Sequence, residues 1–192
     1  RIVVLSALSG TTNSLVAIGE AMASGNREQA KQLIDTLEAH YQSFIKELVK
    51  TDKAYAKAKS IVAEHFEFLN IILKISFSEA LSKDILAQGE LLSTKLFSVY
   101  LEEKGIDHML LPALEFMTID AQDEPQLSTI KVKLNRILQQ NSDKKLFITQ
   151  GYICRNSRGE VDNLKRGGSD YTASLIAAAA NASVCEIWTD ID

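Results

Sequence analysis

The chain has 192 residues, 46% of them apolar and 24% charged, and a formal net charge of -4. This composition excludes the disordered and fibrous classes, and the length allows one domain with a full hydrophobic core. Because Lys and Arg form no cluster and the longest apolar run near the C-terminal end covers residues 175–180, we expect no nucleic acid and no membrane among the partners and favour small ligands.

Hydrophobic spacing predicts one strand and four helices in the first half of the chain. Residues 2–7 form a short apolar run with β-branched side chains, which is typical of a buried strand. Apolar residues then recur every three or four positions, which predicts helices over 14–23, 27–49, 54–73 and 84–103. Gly105 ends the last of these helices.

Strands and helices alternate in the second half. The predicted strands cover 108–114, 146–153 and 184–191, and the predicted helices cover 125–140, opening near Pro125, and 169–181. This alternation predicts an α/β fold with a mostly parallel sheet and helices on both faces. Ligands of such sheets bind where loops leave the carboxyl ends of the strands. No repeat or linker indicates a second domain within 1–192.

The loop after the first predicted strand is rich in polar side chains. Residues 6–13 read Ser-Ala-Leu-Ser-Gly-Thr-Thr-Asn and lead into a helix, whose backbone N–H groups attract anions. The same residue types are also the usual helix caps. This segment alone therefore leaves both anion binding and simple capping open.

The segment 163–172 is more specific, and it reads Asn-Leu-Lys-Arg-Gly-Gly-Ser-Asp-Tyr-Thr. Its two glycines let the backbone approach a ligand closely, and Arg166 can form a bidentate pair with a carboxylate. Ser169 and Asp170 begin the next predicted helix. Asp170 could cap that helix, orient a phosphate-binding lysine or bind a metal.

Two further segments carry carboxylates. Residues 188–192, Trp-Thr-Asp-Ile-Asp, end a predicted strand, where they could reach nucleotide-bound Mg²⁺ or a ribose, or could simply be solvated. Gln88, Gly89 and Glu90 are predicted in the first turn of a long helix. Glu90 could be a surface charge or could point inward to an ammonium group.

Several common catalytic motifs are absent. The sequence has no GxxxxGK[ST], GxGxxG or HExxH motif and no nucleophile elbow. His40, His65 and His108 lack the spacing of metal ligands, so we expect structural or exposed histidines and no protein-held metal. Cys154 and Cys185 lack CxxC spacing and are predicted to be buried, reduced thiols, which fits a cytoplasmic protein.

Five segments resemble the aspartate kinases of the amino-acid kinase superfamily, and the resemblance extends over the whole chain. They are Val3-Val4-Leu5-Ser6-Ala7 with Gly10, Thr12 and Asn13, then Gln88–Ser93, Gln150–Ile153, Leu164–Thr172 and Ile187–Asp192. The fourth reads LKRGGSDYT against the family's LGRGGSDYT. The last reads IWTDID against IWTDVD.

The resemblance implies both a fold and a reaction. The fold is a three-layer αβα sandwich with a mainly parallel central sheet. The reaction moves the γ-phosphoryl of ATP, with Mg²⁺, onto the side-chain carboxylate of L-aspartate to give 4-phospho-L-aspartate. This is the first step of lysine, threonine and methionine biosynthesis. The parent enzyme is expected to be a homo-oligomer.

The resemblance also assigns roles to residues. It places Arg166 on the α-carboxylate of aspartate and Glu90 on its ammonium group. Asp170 becomes the catalytic residue that holds the family's lysine and organises phosphoryl transfer, while Thr189 and Asp190 lie against the nucleotide. Other residues of the substrate pocket are Ser6, Thr12, Gly167 and Ser169.

The chain also departs from the family pattern. Lys165 stands where the family has glycine, and Tyr152 stands where phenylalanine is common. The family's opening KFGGTS strand, the rest of the nucleotide pocket and the regulatory ACT domains are expected to lie outside residues 1–192, so this chain alone is expected to be nearly inactive. The alternatives are a related kinase acting on acetylglutamate, glutamate or a nucleotide, and a non-catalytic fragment that retains the amino-acid pocket.

Overall fold

The computed structural model describes residues 1–165 and 168–189. Its elements, in chain order, are β1 (Ile2–Leu5), α1 (Thr11–Ala23), α2 (Arg27–Leu48), α3 (Asp52–Ile72), α4 (Glu79–Glu103), β2 (Met109–Leu110), α5 (Ala113–Phe116), α6 (Leu127–Gln140), β3 (Phe147–Gln150), β4 (Ile153–Arg155), β5 (Val161–Asn163) and α7 (Gly168–Ala179). No helix in the described ranges is both long enough and apolar enough to span a membrane.

The central sheet is parallel, with the strand order β1-β3-β2. Its register pairs Ile2 with Phe147 and Leu5 with Gln150. Strands β4 and β5 form a separate antiparallel hairpin. Because the three central strands run in the same direction, the residues that follow Leu5, Leu110 and Gln150 share one edge of the sheet. We call this edge the carboxyl edge.

Helices cover both faces of the sheet. Ile2, Val4 and Phe147 lie on the same face, where they pack in a core with α6 and α7. On the opposite face, the Gln150 amide donates a hydrogen bond to Thr94 of α4, and α4 contacts all three central strands. The predicted three-layer αβα sandwich with a parallel sheet is confirmed.

A second core lies away from the sheet, among helices α1 to α4. Its fully buried side chains include Ile18, Ile34, Tyr41, Val62 and Ile85. Each of these helices presents an apolar stripe, and the stripes pack against one another. Consequently α4 serves both cores, because one side contacts the sheet and another contacts α1 and α3.

The structure confirms the four helices that were predicted between the first and second strands. Four successive helices separate β1 from β2, because α1, α2 and α3 bury their apolar faces mainly against other helices. The other helix boundaries agree with prediction to within a few residues, except for α4. That helix begins at Glu79, where the Ser78 hydroxyl accepts a hydrogen bond from the Leu81 N–H. Glu90 therefore lies in the middle of α4, and its predicted place in a first turn is wrong.

Three strand predictions also need correction. The strand predicted over 108–114 covers two residues, because Pro112 lacks an N–H and begins the turn into α5. The strand predicted over 146–153 divides at Gly151 into β3 and β4. The strand predicted over 184–191 does not form in its described part, 184–189, where Trp188 is 86% exposed. Its backbone finds no neighbouring strand among the described residues.

Candidate functional site at the carboxyl edge

Hydrogen bonds join β1, β3 and α4 at the carboxyl edge. The Gly151 N–H donates to the Leu5 carbonyl at 2.9 Å, which continues the pairing of β1 and β3 beyond the last strand residues. The Ser93 hydroxyl of α4 donates to the Ser6 carbonyl at 2.7 Å. The exposed Ser6 side chain therefore begins a loop that is fixed on both sides.

Gly89 brings α4 very close to this loop. A Cβ atom at Gly89 would lie 2.8 Å from the Ala7 Cβ and 3.3 Å from the Leu15 Cδ1. A contact of 2.8 Å between two carbons that are fixed to backbones is not tolerated without movement. The glycine in the Gln-Gly-Glu segment is thus required by packing, and it sets the next residue, Glu90, against the loop.

Glu90 is a buried carboxylate. It is 4% exposed, and it has no ion-pair partner among residues 1–165 and 168–189. Burial raises its pKa to about 7, while hydrogen bonding from the backbone N–H groups of Glu90 and Ala7 lowers the pKa by a smaller amount. Its negative charge also helps to raise the pKa of Tyr41 and Tyr152. The carboxylate therefore favours either a proton or a bound cation.

The start of α7 is held at the same edge by Gly151. A Cβ atom at Gly151 would lie 2.3 Å from the Ser169 Oγ and 2.7 Å from the Ser169 Cα, so β3 and α7 can approach this closely only at a glycine. The Tyr152 N–H donates to the buried Thr172 hydroxyl at 2.9 Å. Ser169 is half-buried here, and Asp170 is exposed in the first turn of α7.

The start of α1 completes the arrangement. Its N-cap is Gly10, with φ of 79°, and no side chain caps the helix. The capping interpretation of the loop 6–13 is therefore wrong. Thr11 is buried, whereas Thr12 is exposed next to it. The first-turn N–H groups of α1 are thus free of a side-chain cap near Ser6 and Glu90.

Lys165 adopts a backbone conformation that favours glycine. Its φ is 49°, in the left-handed region, at the position where the aspartate kinase motif has glycine. Its ammonium group forms an ion pair with Asp123. Arg166 and Gly167, which were predicted to bind substrate, lie outside the described residues.

Of the predicted nucleotide-binding segment 188–192, the structure describes residues 188 and 189. Thr189 is exposed, in a stretch without helix or strand, and Asp190 lies outside the described residues. Among the sequence-predicted residues, Ser6, Thr12, Glu90 and Ser169 lie on segments that meet at the carboxyl edge. Asp170 follows Ser169 at the start of α7.

Sequence reasoning missed the buried polar groups behind the site. The Gln150 amide bridges two elements, because its oxygen accepts from the Ala113 N–H and its nitrogen donates to the Thr94 hydroxyl, each at 2.8 Å. A glutamine at the end of an apolar strand was the available signal. The hydroxyl pair of Tyr41 and Thr11 gave no signal, because the two residues are 30 positions apart and belong to separate helices.

The histidine prediction is confirmed, and half of the cysteine prediction is wrong. His65 and His108 bond to Gln88 and Ser98, and His40 is exposed. Cys154 is buried, and burial raises its thiol pKa to about 12. Cys185 is exposed, because the strand predicted to bury it does not form.

Comparisons of sequence and of structure both find amino acid kinases, among them aspartokinases. A sequence model of the amino acid kinase family matches residues 1–192. Lysine-sensitive aspartokinase 3 of Escherichia coli (strain K12) is 32% identical over 194 residues, which cover 100% of this chain and 42% of that protein. Aspartokinase 3, chloroplastic, of Arabidopsis thaliana is 31% identical over 204 residues, which cover 100% of this chain and 35% of that protein.

A solved structure has the same fold. The crystal structure of E. coli aspartokinase III in complex with aspartate and ADP matches with a TM-score of 0.83 and 29% identity, covering 100% of this chain and 42% of that one. The chain thus spans about two fifths of the length of these E. coli proteins. Since the family model matches every residue from 1 to 192, the chain belongs to the amino acid kinase family.

Proposed function

We propose that the chain carries the amino-acid site of an aspartate kinase. This enzyme transfers the γ-phosphoryl of ATP to the side-chain carboxylate of L-aspartate and forms 4-phospho-L-aspartate, the entry to lysine, threonine and methionine biosynthesis. The proposal is supported by family membership, by the aspartokinase names of the relatives, and by the structural neighbour that binds aspartate and ADP.

Glu90 is the observation that carries the proposal. A buried carboxylate without an ion-pair partner in the described chain is costly unless a cation joins it. The ammonium group of an amino-acid substrate is such a cation. An N-acylated substrate such as acetylglutamate has no ammonium group, so Glu90 favours a substrate with a free amino group.

The helix starts beside Glu90 suit the anionic groups of the substrates. The N-termini of α1 and α7 lie at the carboxyl edge, and helix N-termini carry partial positive charge and free N–H groups. We assign Ser6, Thr12 and Ser169 to the aspartate pocket as hydroxyl donors. By resemblance we assign Arg166 to the α-carboxylate and Gly167 to the close backbone contact.

Phosphoryl transfer requires mainly positioning and neutralisation of charge. Asp170, exposed in the first turn of α7, is the residue that we propose acts at the transferring phosphoryl group. No group of three or more His, Cys, Asp or Glu residues in the described ranges could hold a metal ion. This fits Mg²⁺ that is carried by the nucleotide phosphates, because Mg²⁺ commonly uses only one or two protein carboxylates. Thr189 and Asp190 are proposed to contact the nucleotide.

The wider assignments follow from the same proposal. Residues 1–192 are proposed to be catalytic-domain sequence of a homo-oligomeric, cytoplasmic enzyme. The relatives are more than twice as long as the matched region, since it covers 42% of the E. coli protein. Activity is therefore best measured in the complete polypeptide that carries these residues.

A coupled ADP-release assay with a substrate panel tests the function. With Mg-ATP, L-aspartate should be phosphorylated, whereas glutamate, acetylglutamate and nucleoside monophosphates should give little turnover. Asp170→Asn should lower kcat about 100-fold or more, because it removes a charge at the reacting phosphoryl group. Its melting temperature should hardly change, because Asn caps a helix about as well as Asp. Preference for another acceptor would refute the aspartate assignment.

Calorimetry distinguishes the non-catalytic alternative. If the pocket is non-catalytic, the complete polypeptide should bind aspartate but release no ADP at any concentration of Mg-ATP. An aspartate kinase should show both binding and turnover. An unchanged kcat in Asp170→Asn would leave Asp170 as an ordinary first-turn residue of α7.

A further inference from the structure

The hydroxyl of Tyr41 lies inside the helical core and has one partner there. Tyr41 is 0% exposed and packs between the rings of Phe44 and Phe66, with centroid distances of 6.4 and 5.9 Å. Its hydroxyl is 2.9 Å from the Thr11 Oγ1, and Thr11 is also buried. A phenylalanine would fill the same ring volume, so packing alone does not account for the hydroxyl group.

Thr11 is the first residue of the one helix among α1 to α4 that has no side-chain cap. Side chains cap the other three helices: Asn26, Thr51 and Ser78. Helix α1 follows Gly10, and its start is tethered instead by Thr11, whose N–H donates to the Leu8 carbonyl at 2.9 Å and whose hydroxyl bonds to Tyr41. This arrangement fixes the helix start and leaves the next N–H groups of the first turn without a side-chain cap.

Thr11 also faces the segment of α4 that contains Glu90. Its Cγ2 lies 3.5 Å from the position of a Cβ at Gly89, the residue before Glu90. The charge of Glu90 contributes to the raised pKa of Tyr41, so the carboxylate lies within electrostatic reach of the phenol oxygen. One hydrogen bond between two hydroxyls uses one of their two protons. The second proton has no acceptor among the described residues.

We propose that Tyr41 is a positioning residue of the amino-acid site, which acts through Thr11 to hold the uncapped first turn of α1 against Glu90. The turn and the carboxylate then face the same ligand, with N–H groups for its anionic end and Glu90 for its ammonium group. This inference rests on the proposed function. In this role the Tyr41 hydroxyl contributes to ligand binding, which explains a group that packing of the ring does not need.

Three variants separate positioning from packing: Tyr41→Phe, Thr11→Val and the double variant. Each single change leaves one buried hydroxyl without a partner and should lower the melting temperature, whereas the double change removes both hydroxyls and should restore much of it. The KM for aspartate should rise about fivefold or more in Tyr41→Phe and remain raised in the double variant, because the tether is still absent. The kcat should stay within about twofold.

Tyr100→Phe is the matched control, because Tyr100 is a half-buried tyrosine of α4 that stacks on Phe97. It should leave the KM for aspartate unchanged. If the double variant regains both its melting temperature and the original KM, the hydroxyl pair is only a packing feature and the inference is wrong. If the unchanged protein neither binds nor phosphorylates aspartate, the proposed function fails, and the inference that rests on it fails with it. The measurement on the unchanged protein therefore distinguishes the two failures.

Discussion

Replacing Glu90 with glutamine should stabilise the fold and impair the site. The side chain keeps its shape and loses its charge. Burial raises the Glu90 pKa from 4.5 to about 7 in the folded chain, and a shift of this size corresponds to about 3 kcal/mol of unfavourable free energy for the ionised form. The fold carries this cost at neutral pH when no cation is bound.

The sign of the pH dependence follows from proton binding. The folded chain keeps the Glu90 proton up to a pH of about 7, whereas the unfolded chain releases it near the ordinary value of 4.5. Between these values the folded state binds more protons, so the contribution of Glu90 to the free energy of unfolding falls as pH rises. Glutamine does not titrate. The free energy of unfolding of Glu90→Gln should therefore exceed that of the unchanged protein only slightly at pH 4.5. The difference should grow to about 3 kcal/mol at pH 8.

Urea unfolding at pH 5 and pH 8 measures this difference directly. Glu67→Gln is the matched control, because Glu67 is an exposed carboxylate on α3. Its effect on the free energy of unfolding should be small. If the gain in the free energy of unfolding of Glu90→Gln is the same at pH 5 and pH 8, Glu90 is not a buried carboxylate with a raised pKa, and the reasoning is refuted.

The same variant tests the ammonium role. Loss of a charge-assisted contact of about 1.5–3 kcal/mol should weaken aspartate binding roughly 10- to 100-fold. In the unchanged protein the affinity should rise about tenfold from pH 6 to pH 8, because a group with a pKa of about 7 becomes ionised over that range. Glu90→Gln should show no such rise. Calorimetric titration with aspartate at both pH values measures these affinities. If Glu90→Gln bound aspartate as tightly as the unchanged protein does, Glu90 would be excluded from the site.

Further substitutions test the backbone approaches and the thiols. Gly89→Ala should destabilise the fold by about 1–3 kcal/mol and weaken aspartate binding. The control Gly19→Ala should be neutral or stabilising, because its added Cβ has its nearest contact at 3.8 Å. Urea unfolding would show the difference in stability. Lys165→Gly should be more stable than Lys165→Ala by about 1 kcal/mol, since both lose the ion pair and only glycine relieves the positive φ. Iodoacetamide should label Cys185 and spare Cys154 in the folded protein, as mass spectrometry would show.

Helix boundaries were predictable where local spacing and packing agree. The stripe through Ile34, Tyr41 and Ile45 faces the core at the three- and four-residue spacing that predicted α2. The start of α4 was missed, because the Ser78 cap lies six residues before residue 84, where the apolar pattern becomes clear. Helix α4 then has little amphipathic contrast, since it is buried on two sides by two cores.

The end of the chain shows why a strand cannot be predicted from its own residues alone. Val184, Ile187 and Trp188 have the composition of a strand, yet residues 184–189 form none. Strand propensity reflects burial on a sheet and pairing with a neighbour more than any intrinsic backbone preference. Helices contain their hydrogen-bond partners within four residues, whereas a strand depends on another segment.

The candidate site was predictable as a set of segments, but not as a set of charges. The glycines at 89 and 151 identified the motifs, and the structure gives both the same physical reason, since each lies where a Cβ would collide with the next layer. The burial of Glu90 could not be read from the sequence, because a glutamate within a helix is ordinarily a solvated surface charge. Stability favours a neutral side chain in its place, as the raised pKa indicates. A carboxylate that lowers the stability of the empty fold is explained most simply by a ligand that pairs with it, and the nearby helix N-termini make an amino acid, with charges of both signs, a better match than a simple cation.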